Sequence, residues 1–228
     1  MLKIKKRIIV CLTLLAVCLL IVPVSACKKT QDLSAYLSQL QCDLYLADSE
    51  EYKLKAFYGF NETPVKNDGV IGKTTYKLTF ILYADLTQQA EYTLSLSIGE
   101  NTHELTFKPD GVKGAFTTTL EVENFTLKEF NVKLLCADKT TDIVMRSALP
   151  QNAISYKTAL DCVLSHQEAL VKSYFDQSGT FNGEIRQRII VRDGKPYWYV
   201  GLVDKTGGVK ALLVDGISGE ILAVREVV

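Results

Sequence analysis

Histidine is nearly missing from this chain of 228 residues: His103 and His166 are the only two, and neither has a second ligand at HxxxH or HExxH spacing. A zinc centre is therefore not expected, and no metal or other cofactor is predicted. The signatures of nucleophilic, phosphoryl-transfer and hydride chemistry (GxSxG, the phosphate-binding loop, the dinucleotide fingerprint) do not occur. CxxC pairs are absent too, which removes the usual sign of structural zinc or dithiol redox work. No run of five basic residues follows the N-terminal segment, so the electrostatic footprint of a nucleic-acid binder is lacking. Scattered carboxylates such as Asp43, Glu50 and Glu51 read as solvated faces and turns. No catalytic residue is nominated, and the chain is expected not to be an enzyme.

What is present begins with location. Lys3, Lys5, Lys6 and Arg7 form a positive start, Ile8 to Val22 is almost continuously apolar, and small residues lead up to Cys27. That is the layout of a secretory signal over residues 1–26. A spanning helix needs about 20 apolar residues, and Pro23 closes this run sooner. Val24-Ser25-Ala26-Cys27 resembles the lipobox of bacterial lipoproteins, an aliphatic residue and two small ones before a Cys. The resemblance implies that the Cys27 thiol carries a diacylglyceryl group after cleavage just before it. The mature protein is then lipid-anchored on the extracytoplasmic side of the cell membrane. One acyl chain binds only marginally, at ~0.8 kcal/mol per buried CH₂, whereas two hold stably.

Four of the 26 Lys and Arg residues and none of the 26 Asp and Glu residues lie in the leader, so the remainder has a net charge of −4. Its length predicts one or two domains at ~150 residues each. With 47% hydrophobic residues in the whole chain, material for a core is ample. Cys11 and Cys18 belong to the leader, which leaves Cys42, Cys136 and Cys162 beside the lipidated Cys27. Cys42 is in phase with Leu40, Leu44 and Leu46, and Cys136 with Phe130, Val132 and Leu134. Both read as small inward hydrophobes, and a disulfide between them stays open.

After a short tether at 27–32, apolar residues alternate with polar ones from about Leu40 to Met145. The sets are Leu40 to Leu46, Tyr52 to Phe60, Tyr76 to Leu82, Tyr92 to Ile98, Leu105 with Phe107, Phe116 to Val122, Phe130 to Cys136, and Ile143 with Met145. Period two marks strands with one wet face, and Asn61 to Pro64, Asp68-Gly69, Gly99 to Asn101, Pro109 to Gly111 and Asp138-Lys139 supply the turns. About eight short strands predict an antiparallel β-sandwich over 33–149, Ig-like in architecture. His103 shares a face with Leu105 and Phe107 and reads as an edge or core histidine.

The period changes after Ser147 to Asn152. Ser155 can cap a helix running to about Tyr174 on the spacing of Ala159, Leu160, Val163, Leu170, Val171 and Tyr174. Four strands follow, near 181–192, 196–203, 208–215 and 219–227, with Asp193-Gly194 as a tight hairpin turn. The fold class is thus mainly β in two domains, the second (153–228) a small α+β unit with one helix on a four-stranded antiparallel sheet. In the last hairpin Asp215 can accept backbone N–H bonds and Gly219 can take a conformation closed to other residues, so both read as structural turn residues.

Val214, Asp215, Gly219, Glu220, Ile221 and Leu222, with the preceding Lys195 to Asp204, resemble the closing strands of the PepSY domain. The usual acidic pair at the helix start is replaced by Tyr156-Lys157-Thr158. The resemblance spans about 153–228. It implies a non-enzymatic module that binds or restrains proteases near the cell surface, and it carries over no catalytic residue. Trp198, Val200 and Leu202 lie on one face of their strand, with Tyr197, Tyr199 and Val203 on the other. One helix covers one face only, so the second meets either the sandwich or a partner, and Tyr197 and Tyr199 are the candidate binding surface. The expected function is a lipid-anchored protein-binding module with a protease as partner. A small-ligand or cell-wall-binding lipoprotein with a cleft between its domains is the alternative.

Overall fold

The computed structural model describes residues 32–227 except 50, 51, 67 and 87–89. The expected signal at 1–26, the lipidated Cys27 and most of the tether lie outside the described residues. Among the described residues, thirteen strands and two helices follow a 3₁₀ turn at Leu33–Tyr36. The first nine are β1 (Leu37–Asp48), β2 (Lys53–Thr63), β3 (Lys73–Tyr83), β4 (Tyr92–Ile98), β5 (Asn101–Thr106), β6 (Lys108–Asp110), β7 (Ala115–Glu121), β8 (Glu129–Cys136) and β9 (Lys139–Ser147). Helices α1 (Tyr156–His166) and α2 (Glu168–Lys172) come next. The chain finishes on β10 (Gly183–Arg192), β11 (Lys195–Asp204), β12 (Val209–Asp215) and β13 (Ile221–Val227). The protein is mainly β, and among the described residues every strand pairing but one is antiparallel.

The one parallel contact organises the molecule. Along one edge β1 pairs with β2. Its other edge is divided: Leu37 to Gln41 run parallel to β10, whereas Tyr45 to Asp48 run antiparallel to β9. A bulge between Gln41 and Asp43 marks the change, and a bulge re-aims the side chains that follow it. Leu37, Leu40 and Leu44 therefore enter the core shared with the C-terminal strands, and Tyr45 enters the other core. Leu46, expected to face inward with Leu44, is 39% exposed. Strict alternation from Leu40 to Leu46 fails because the bulge spends one residue out of phase.

From β1 the sheet curls both ways, through β2, β3 and β7 on one side and β9, β8, β4 and β5 on the other. Strand β5 comes round against β7, so this half is a nearly closed, barrel-like sheet. Its core holds Tyr45, Phe80, Leu82, Leu94, Phe130 and Met145. The sheet also runs on without a break through β10 to β13, and Leu33–Val228 is one compact unit. The two expected domains, 33–149 and 153–228, thus correspond to two cores on one sheet. The change of period after Ser147 marks where helices enter, and a pairing between strands so far apart in sequence has no local signature.

Helix α1 starts as expected, with Ser155 Oγ accepting from Thr158 N at 3.1 Å. It does not run on to Tyr174. Ser165 Oγ donates to the Asp161 carbonyl at 3.0 Å, and His166 Nδ1 lies 2.9 Å from the Cys162 carbonyl. Side chains that engage last-turn carbonyls compete with the helix ladder, and the chain breaks at Gln167 before α2. Both helices cover one face of β10–β13, where Leu160, Val163 and Val171 pack on Trp198, Val200, Leu202 and Leu212.

Candidate functional site

The last hairpin turn is built from its backbone outward. Asp215 Oδ1 accepts from Ile217 N at 2.9 Å and Ser218 N at 2.8 Å, and these donors hold its carboxyl below the ordinary aspartate range. Gly219 has φ +78°, which only glycine adopts freely. A Cβ there would lie 2.6 Å from Cys162 Sγ on α1. Gly216 accepts from Ile154 N at 2.8 Å and donates to the Pro196 carbonyl at 2.9 Å. The turn is thereby tied to β11 and to the start of α1, and its carboxylate is already engaged by the backbone.

The opposite face of β10–β13 carries no helix. Cross-strand register places Arg188, Tyr199, Leu213 and Ala223 in one row, Ile190, Tyr197 and Asp215 in a second, and Arg186, Gly201, Ala211 and Arg225 in a third. Tyr197, Tyr199 and Leu213 are half-buried, Arg188 and Arg225 are exposed, and Ile190 is 36% exposed. Arg188 lies over the Tyr199 ring at 4.5 Å. The Tyr199 ring in turn covers Gly201, where a Cβ would come 2.9 Å from its hydroxyl. Neither tyrosine belongs to either core. The barrel-like half extends this sheet edge to edge, so Tyr197 and Tyr199 keep solvent access.

A third region escaped the sequence reading. Where β9 and β10 part from β1 the sheet forks, and Asp43, read from sequence as solvated, closes the fork. It is 8% exposed, and it accepts from its neighbour Leu44 N, from Tyr45 Oη at 3.1 Å, Lys128 Nζ at 3.0 Å and Ser147 Oγ at 2.7 Å. Beside it opens a cleft of about 420 Å³ bordered by Cys42, Lys128, Leu149, Ile154, Tyr156 and Trp198. Burial pushes the Cys42 thiol up to about 12, so it is an inert wall and not a nucleophile. Cys42, Cys136 and Cys162 are all free thiols. Only Tyr45, an aromatic in the polar phase of the alternation from Leu40 to Leu46, could have signalled the fork.

Among the described residues no three His, Cys, Asp or Glu side chains converge as a metal centre, and no helix is long and apolar enough to cross a membrane. His103 is half-buried opposite Leu96, and His166 is exposed at the end of α1. A scan against models of known protein families finds no match to this chain, and a search of curated proteins finds none either.

Proposed function

We propose that this protein is a lipid-anchored, non-enzymatic binding module on the extracytoplasmic side of the membrane. The anchor is Cys27, and recognition belongs to the PepSY-like region 153–228. The N-terminal region, with Ig-like sandwich character, is the support. The observation that carries the reading is the helix-free sheet face, on which Tyr197 and Tyr199 stand among Arg186, Arg188 and Arg225. Tyr and Arg dominate protein recognition because they offer large contact area and directed charge at low entropy cost. That face suits a protein partner presenting an acidic surface, and the PepSY resemblance makes a protease the first candidate.

The test is a photocrosslinking residue placed at Tyr199 in the full-length protein in intact cells, with Tyr83 on β3 as the control. A discrete protein adduct should form from position 199 and not from 83, and Arg188→Glu should reduce it. Equal labelling from both positions would remove the face as a recognition surface.

The fork cleft favours a second reading, a small amphipathic ligand with its anionic end at Lys128 and its apolar part against Leu149 and Trp198. About 420 Å³ falls in the range of ligand pockets. Trp198 is the single tryptophan, so its emission reports directly on occupancy. Titration with medium-chain carboxylates that leaves the emission unchanged at millimolar concentration would end this alternative.

A further inference from the structure

Three valines are the most exposed large apolar side chains among the described residues: Val112 at 99%, Val70 at 69% and Val65 at 66%. Single apolar residues on a surface need no explanation, but Val65 and Val70 share one loop, and that loop is anchored by buried charge. Glu62, 2% exposed near the end of β2, accepts from Lys66 N at 2.7 Å and Gly72 N at 2.8 Å. Asp68 accepts from Val70 N at 3.0 Å. Gly69, at φ +76°, is seated on the C-terminal strands: a Cβ there would lie 3.1 Å from Lys205 Cε and 3.5 Å from Gly183 N. Glu184, 1% exposed, follows Gly183. Burial raises its pKa, and the Ser38 hydroxyl and the Gly69 amide pull it part of the way back. A backbone anchored at so many points keeps both valines in water.

Register puts this loop at the end of the strands where the chain enters. Gln39 of β1 pairs with Asn61, so β1 begins beside the residues that open the loop. Leu37 pairs with Ile185 near the start of β10, and the Tyr36 ring lies 4.9 Å from that of Phe181 just before β10. Val112 stands at the opposite end. Thr63 pairs with Lys73 at the loop, whereas Leu82 pairs with Phe116 at the far end of β3, next to the β6–β7 turn that carries Val112. The eleven residues of β3 set the two ends about 33 Å apart, at ~3.3 Å per step. Asp32 is the fifth residue after Cys27, which limits their separation to about 18 Å at ~3.6 Å per residue.

We infer that Val65 and Val70 make a second contact with the membrane, entering the lipid interface and holding the strands upright on it with Val112 outermost. The inference rests on the lipid anchor at Cys27 proposed above. With an anchor so near, the loop meets the bilayer at high effective concentration, and two apolar side chains suffice where they would not bind from solution. The contact is apolar and not electrostatic. Lys66 lies 4.0 Å from Asp68, and Lys205 stands near Asp176, so the positive charge at this end is largely offset. Strands held upright leave the face of Tyr197 and Tyr199 clear of the lipid and open to a partner from the side.

The test uses the full chain, processed in cells, purified and reconstituted in phosphatidylcholine vesicles, with an environment-sensitive fluorescent amino acid at position 65, 70 or 112. Mass spectrometry of the N-terminal peptide reads the lipid on Cys27 independently. Emission from positions 65 and 70 should shift to the blue and be quenched by brominated acyl chains, while position 112 stays water-like. Added anionic lipid should change neither result. With the probe at 70, Val65→Glu should cut the quenching by about half, and because Val65 is exposed the melting temperature should not move. Lipidated protein whose probes at 65 and 70 behave like the one at 112 would overturn the contact and leave the anchor standing. Quenching that needs anionic lipid would overturn it too. So would probes that stay water-like on vesicles and shift only in intact cells, which assigns the loop to a protein partner. A chain without lipid on Cys27 would overturn anchor and contact together.

Discussion

Gly219 and Glu184 show how much one position can carry. Gly219→Val meets two obstacles, the positive φ and a Cβ 2.6 Å from Cys162 Sγ. Backbone strain costs ~1–3 kcal/mol and overpacking a similar amount. A loss of roughly 2–4 kcal/mol should appear in denaturant unfolding. Cys162→Ala in the same chain should recover the packing part and leave the strain. Asp215→Asn should cost only about 1 kcal/mol, because an amide oxygen still accepts from the turn. For pH, the lowered Asp215 stabilises the fold above the ordinary aspartate value of about 3.9, and this contribution is lost as pH falls through its depressed folded value. Glu184 acts with the opposite sign. Its raised value means the fold keeps a proton that the unfolded chain releases at about pH 4.3, so stability falls as pH rises from there through the folded value. Glu184→Gln should flatten that decline in a plot of melting temperature against pH. Glu62 and Arg186 remain as the other charges nearby.

At the scale of elements, the fork in β1 is the feature to break. Asp43 satisfies donors from Tyr45, Lys128 and Ser147 at once. Asp43→Ala strands the buried Tyr45 hydroxyl and the Ser147 hydroxyl, each worth ~1–3 kcal/mol when left unpaired. We expect a loss of roughly 2–4 kcal/mol by chemical denaturation, and Lys128→Ala should cost far less because Lys128 is 72% exposed. The sequence displayed these elements well. Strands β2 to β4 and β7 to β13 lie close to the alternating segments, and Asp193-Gly194 makes its turn with φ values of +52° and +73°. Hidden were the features that break a period: the bulge at Gln41 to Asp43, the helix break at Gln167 and short β6 on an expected turn. Tyr197 and Tyr199 were legible as one face of a strand, but what covers a face depends on partners distant in sequence.

For the whole molecule, the shared sheet makes the two cores interdependent. A fragment ending near residue 150 would expose Leu33, Leu37, Leu40, Leu44 and Phe60, all buried in the C-terminal core. We expect it to aggregate or to bind a hydrophobic dye, with the intact chain as reference. A protease cut within Ser147 to Asn152 should instead leave both pieces together on a sizing column, since the β1–β10 ladder and the core shared by Leu33, Leu37, Leu40 and Leu44 with the C-terminal strands still join them. Pieces that separate in native buffer would show that the cores stand independently.

The position of β1 also sets how the molecule responds to pulling. In a chain tethered through Cys27 and held by a partner on the β10–β13 face, tension enters at Leu33 and must leave through β10. The parallel ladder from Leu37 to Gln41 lies across that route, and it is loaded lengthwise, with its bonds sharing the load instead of opening one after another like a zipper. The load-bearing element is therefore the first strand after the tether, flanked by β2 on one side and by β9 and β10 on the other. Tethered and held in that way, the chain would yield late and abruptly, and it would yield first at the β1–β10 ladder.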